Sequence, residues 1–112
     1  MEISMQMDGQ IVVVSIVGRI DSATAEKLEH AAATIIAEGA SKVIFDLRKV
    51  DYVSSAGLRA ILMAAKRTNA AGGGITLFGL QPAVDEIMTT SGFASIITLC
   101  ANEADARAWF SA

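Results

Sequence analysis

The chain has 112 residues, a net charge of −3, and a composition that is 53% hydrophobic with 5% aromatic residues. That is aliphatic material for the core of one domain spanning 1–112, and it excludes a disordered tail. The basic residues are scattered, with only the pairs Arg48-Lys49 and Lys66-Arg67 and no aromatic platform beside them, so nucleic-acid binding is disfavoured.

Ile3 to Met7 reads as a short edge strand, and Asp8-Gly9 as a hairpin turn. Gln10 to Val17 is a second strand whose Ile/Val content suggests burial on both faces. Gly18-Arg19-Ile20 leads to Asp21 or Ser22 as a helix cap. The helix that follows places Ala25, Leu28, Ala32, Ile35 and Ile36 on one face, and Gly39 closes it. A strand spans 43–47, with Asp46 near its end, and Asp51 opens a loop containing Ser54 and Ser55. A helix from about 56 to 70 follows; it buries Leu58, Ile61, Leu62 and Ala65 and leaves Arg59, Met63, Lys66 and Arg67 nearer solvent. Gly72-Gly73-Gly74 stops it. Ile75 to Phe78 is a strand, Pro82 opens a short third helix with Val84, Ile87 and Met88 inward, and Ser91-Gly92 ends that helix. Ile96 to Leu99 is a last strand, and Asn102 caps a final helix through about Phe110. Strands alternating with helices argue for an α/β layer structure with a largely parallel sheet.

No apolar run approaches the roughly 20 residues that span a bilayer. The start, Met1-Glu2-Ile3-Ser4, lacks the basic residues of a signal peptide, so a cytoplasmic location without membrane insertion is expected. The single cysteine, Cys100, reads as a buried thiol, and the single histidine, His30, falls opposite the apolar face of its helix. That inventory gives no zinc set, no Ser-His-Asp arrangement and no cofactor site. Gly72-Gly73-Gly74 follows a helix and precedes a strand, the wrong order for a phosphate cradle.

What remains is the pair of serines at the start of the second helix. Unpaired backbone N–H groups and the positive end of the helix dipole meet there. A hydroxyl in that place can cap the helix or accept a phosphoryl group. Asp21 follows the second strand as Ser54 and Ser55 follow the third. In a parallel sheet these loops gather at one edge. The plain reading of Asp21 is a helix cap, and of Asp46 and Asp51 solvated acids.

Three segments together carry a resemblance: Gly18-Arg19-Ile20-Asp21 with Thr24-Ala25; Ser54-Ser55-Ala56-Gly57-Leu58; and Gly79-Leu80 with Pro82-Ala83-Val84 and then Ser91-Gly92-Phe93. In order and spacing they resemble the STAS domain, in particular the bacterial anti-sigma factor antagonists. The resemblance implies the STAS fold, a mixed sheet of four to five strands covered mainly on one side by about four helices. It also implies partner switching. The unphosphorylated antagonist binds an anti-sigma factor that is also its serine kinase, phosphorylation releases it, and a PP2C-type phosphatase restores it. Matched on Gly57-Leu58, the family's acceptor serine falls on Ser55, with Ser54 as the alternative. The family's Asp falls on Ser54, and its Ser/Thr on Ala56. The expected partner surface comprises Asp21, Ser54, Ser55, Ala56, Gly57, Arg59 and Met63. Two other functions compete: a STAS scaffold of a transporter or signalling complex that does not switch, and a small phosphate-handling enzyme, which the missing histidines and glycine cradle disfavour.

Overall fold

Alternation along the strands decides which side of the sheet is filled. In the computed structural model, which describes residues 1–111, β1 (Glu2–Asp8) and β2 (Ile11–Ile20) form an antiparallel hairpin closed by Gly9-Gln10. Then come α1 (Ala25–Ala37), β3 (Lys42–Val53), α2 (Ser55–Ala70), β4 (Gly74–Phe78), α3 (Pro82–Thr90), a 3-10 turn at Phe93–Ser95, β5 (Thr98–Cys100) and α4 (Glu103–Trp109). The sheet order is β1-β2-β3-β4-β5, and every pair after the first is parallel. The strands thus advance in one direction across the sheet. Parallel crossovers are right-handed, so the three connecting helices must all fall on the same face. α4 joins no two of these strands and is free to take the other.

The packing follows that rule. Val12, Val14 and Ile16 of β2, Val43, Phe45 and Leu47 of β3, and Ile75 and Leu77 of β4 meet Leu28, Ile35, Ile61, Val84 and Met88 of α1, α2 and α3. The alternate residues Val13, Ile44 and Phe78 meet Ala106 of α4. This is the mixed five-stranded, four-helix architecture that the sequence resemblance implies, with one main helical layer. α1 ends as its Gly39 suggests: Gly39 adopts φ +107°, and Ala40 N–H donates to the Ile35 carbonyl.

Several local expectations need correction. β3 runs to Val53 rather than 47, so Asp51 lies within a strand and opens no loop. β4 pairs only with residues 42–46 of β3. Beyond that point β2 and β3 continue together as a two-stranded extension, with register shifts between Ser15 and Val17 and between Gly18 and Arg19. There is less cover here, and Val17 and Tyr52 are exposed. The expected burial of both faces of β2 therefore holds for Val12 to Val14 and fails toward its end. Ile96 lies outside the last strand and is exposed. Cys100 is half-buried, and burial followed by the Asp105 charge pushes its thiol pKa up.

Asp46 is neither solvated nor at a strand end. It sits mid-strand and buried, and Arg48 donates to it through Nε at 3.0 Å and Nη2 at 2.7 Å. The Arg48 side chain holds this carboxyl below the usual carboxylate range, against the opposing pull of burial. A depressed folded-state pKa contributes stability that is fully present above the unfolded value, about 3.9 for Asp. That contribution is lost as pH falls through the folded value. Thermal melts should therefore show the melting temperature dropping as pH is lowered below that range. Asp46→Asn should lower the neutral-pH melting temperature and flatten the acid fall; an unchanged acid fall would assign it to other carboxylates.

Candidate partner-binding site

The strand extension ends in a tight junction. Ile20 and Val53 are paired across β2 and β3, and Ser54 N–H donates to the Ile20 carbonyl at 2.8 Å. The loop expected before α2 is therefore one residue long. Ser54 has extended backbone, φ −83° and ψ 175°, and α2 begins at Ser55. Ser54 is the N-cap: its Oγ accepts the Gly57 N–H at 3.1 Å, and its carbonyl accepts the Leu58 N–H at 2.8 Å. An aspartate in this place would also offer an oxygen to an orphan N–H of the first turn.

Gly57 is buried against the end of β2. A Cβ at this position would lie 2.5 Å from the Ile20 carbonyl oxygen, 2.9 Å from Ile20 Cγ2 and 3.0 Å from Val53 Cγ1. Only glycine lets the helix start so close to the strands. Ala56 is half-buried and packs on the main core. Ser55 is exposed, and its hydroxyl makes no hydrogen bond to the described residues. The two serines thus have different environments. One oxygen is engaged by the helix, and the other is free at the positive end of the dipole.

Ser54→Ala should remove the cap and cost about 1 kcal/mol, whereas Ser54→Asp should retain most of it. Urea denaturation of the two variants checks this; equal losses would mean the Ser54–Gly57 bond contributes nothing.

Asp21 stands just past the paired end of β2, so the structure brings it and Ser54 to the same edge. No hydrogen bond or ion pair among the described residues joins Asp21 to either serine. Asp21 is not the N-cap residue of α1; that is Thr24, which makes no capping bond of its own. Instead Asp21 shapes the turn before the helix. Its Oδ1 accepts the N–H groups of Ala23 at 3.0 Å and Thr24 at 3.2 Å, and its own N–H donates to Thr24 Oγ1 at 2.9 Å. Thr24 Oγ1 lies 3.0 Å from the Arg19 carbonyl, and the Arg19 guanidinium lies 3.2 Å from Asp21 Oδ2. Desolvation raises the Asp21 pKa, but these hydrogen bonds and the Arg19 charge together outweigh it and hold the carboxyl below its ordinary value.

Along α2 the exposed positions form one stripe. Ser55 and Arg59 are four residues apart, and Met63 and Lys66 continue the same face. Arg59 and Lys66 are exposed, while Met63 is half-buried. The buried side of α2 is Gly57, Leu58, Ala60, Ile61, Ala64, Ala65 and Thr68. Leu62, expected inside, is half-buried.

One feature of this edge leaves no mark in the sequence pattern. Arg19 stacks on Tyr52 with its guanidinium carbon 4.9 Å from the ring centroid. Arg19 and Tyr52 face each other across the register, but the shift before Arg19 hides that pairing from any count along the sequence. His30 is exposed, as its helical phase indicates, and no cluster of metal-ligating side chains occurs among the described residues. Among the described residues no helix is long and apolar enough to cross a membrane.

Known proteins agree with this architecture. The family model described as the STAS domain matches residues 2–106. A Bordetella bronchiseptica protein named as an anti-sigma factor antagonist, BtrV, is 37% identical over 108 residues, covering 96% of this chain and 92% of its own. The fold is similar to an anti-sigma factor antagonist from Mycobacterium paratuberculosis, with a TM-score of 0.90, 22% identity, and 99% and 94% coverage of the two chains. It is also similar to the Bacillus cell fate determinant SpoIIAA in its phosphorylated form, with a TM-score of 0.72, 20% identity, and 93% and 96% coverage. The chain belongs to the STAS domain family, among the anti-sigma factor antagonists.

Proposed function

We infer that this domain is a phosphorylation-controlled binding module. Unmodified, it binds an anti-sigma factor and so frees the sigma factor. Phosphorylation of Ser55 by that same partner, acting as a serine kinase, ends the binding, and a PP2C-type phosphatase restores it. The domain performs no catalysis of its own. The observation that carries this reading is the contrast between the two hydroxyls: Ser55 is exposed and unbonded at the first position of α2, whereas Ser54 is held by Gly57. SpoIIAA, which shares the fold, has been solved in a phosphorylated form, so the architecture accommodates the modification.

The charge argument makes the switch local. Phosphoserine carries about −1.5 to −2 charges at neutral pH. At a helix N-terminus that charge is favourable, and Arg59 lies four residues on, on the same face. The modified domain therefore stays folded while its binding face changes sign. Incubation with the cognate kinase and ATP, followed by peptide mass spectrometry, tests the reading. Phosphate is expected on Ser55; phosphate on Ser54 alone would move the switch to the capping residue.

The partner surface is formed by Asp21, the junction from Ser54 to Gly57, and the α2 stripe of Arg59 and Met63. Arg59→Glu should weaken partner binding. Exposed substitutions of this kind usually shift stability by only about 0.5 kcal/mol. Calorimetry and melting on this variant separate the two effects. Wild-type affinity would place the interaction face elsewhere.

A further inference from the structure

β1 leaves one edge of the sheet open. Its inner edge pairs with β2 through all of Glu2 to Asp8 without a register shift, and among the described residues no strand lies beyond it. Natural edges are usually blunted by a lysine, a proline or a bulge, or are covered. Ile3-Ser4-Met5-Gln6-Met7 has no such residue and no bulge; its only charges are Glu2 and Asp8 at the ends. Met5 is 45% and Met7 67% exposed. Both lie on the helix-bearing face, opposite Val14 and Val12, beside a groove of about 670 Å³ that Ile35 and Ala40 also line.

We propose that β1 is the docking site for a second copy of this chain, paired antiparallel about a two-fold axis that crosses the sheet at Met5. A two-fold interface must be complementary to itself, and this strand is. With the axis at Met5, Met5 faces Met5, Ile3 faces Met7, and Ser4 faces Gln6. Residues opposite each other in an antiparallel pair point to the same side. The apolar side chains therefore meet only one another over the groove, and the polar ones meet on the other face. An axis moved to Ser4 leaves Met7 and Asp8 with no strand residue opposite, and one moved to Gln6 does the same to Glu2 and Ile3. The one unfavourable pairing is Glu2 with Asp8 at the exposed ends. There Arg107 lies 2.7 Å from Asp8 and 2.8 Å from Glu103, so its charge is already divided between two carboxylates and offsets only part of the repulsion. Because of that repulsion, association should tighten with added salt and with Glu2→Lys.

Sedimentation velocity on the full, unphosphorylated chain tests this over about 2 to 200 μM, where a strand-sized interface associates. A reversible monomer–dimer equilibrium is expected. The double variant Met5→Lys/Met7→Lys should stay monomeric with unchanged circular dichroism and melting, since both side chains are exposed. In a Cys100→Ser background, Met5→Cys should form a disulfide between copies on mild oxidation, while Gln6→Cys, which faces Ser4, should not. A wild-type chain that remains monomeric throughout overturns the proposal. So does a dimer that survives the double variant, or equal cross-linking by the two cysteine variants.

Discussion

Ser55→Asp is expected to weaken binding to the anti-sigma partner by about 10- to 1000-fold, while Ser55→Ala binds like wild type and takes up no phosphate. The basis is the exposed, unbonded Ser55 hydroxyl at the start of α2. A partner that covers this helix start must strip water from whatever sits there. A neutral hydroxyl loses little. A carboxylate buried without a counter-charge costs about 3–5 kcal/mol when fully desolvated, and a loss of ~1.4 kcal/mol is already tenfold in affinity. The range is wide because Arg59 can offset part of the charge and because one carboxylate carries less charge than a phosphate. Calorimetry with wild type, both variants and the phosphoprotein decides the matter. If all four bind alike, the domain is a scaffold that does not switch. If only the phosphoprotein loses affinity, the switch stands and the aspartate is a poor mimic.

Gly57→Ala is expected to damage both stability and binding. Two effects oppose each other. Alanine is the better helix former by about 1 kcal/mol. Its Cβ, however, would fall 2.5 Å from the Ile20 carbonyl, where backbone rather than a flexible side chain is the obstacle. Overpacking of this kind costs about 1–3 kcal/mol and occasionally more, and here relief requires that α2 move away from the strands. That movement would also pull Ser54 N–H from Ile20 and turn the Ser55 hydroxyl off its present direction. Urea denaturation should thus show a net loss of stability, and partner affinity should fall together with it. Gly9→Ala, at the hairpin turn, meets nothing within 4 Å. Its positive φ of 64° strains an alanine there, yet the substitution should leave partner affinity intact. A stable Gly57→Ala variant with normal affinity would mean that the close approach of helix and strands is not needed.

What was legible in the chain was local chemistry. The 3.6-residue pattern of Leu28, Ala32 and Ile35, the proline at the start of α3, Asn102 as the cap of α4 and the glycine after α1 each act through neighbours in sequence, and each is realised as read. The serine motif was legible for the same reason, since a helix start is a local event. The alternation of elements also fixed a mainly parallel sheet, because right-handed crossovers leave few ways to connect them. Tertiary structure decided the rest. Whether β3 stopped at 47 or ran to Val53 depended on β2 continuing beside it, a pairing between residues far apart in sequence. Asp46 and Asp51 are the same residue type on the same strand. One is buried under Arg48 and the other is exposed, because α4 and β4 cover only the first half of β3. The division of labour between Ser54 and Ser55 arises in the same way: the Ile20 carbonyl anchors the backbone of Ser54, α2 turns that hydroxyl inward as its cap, and the next one is left facing solvent.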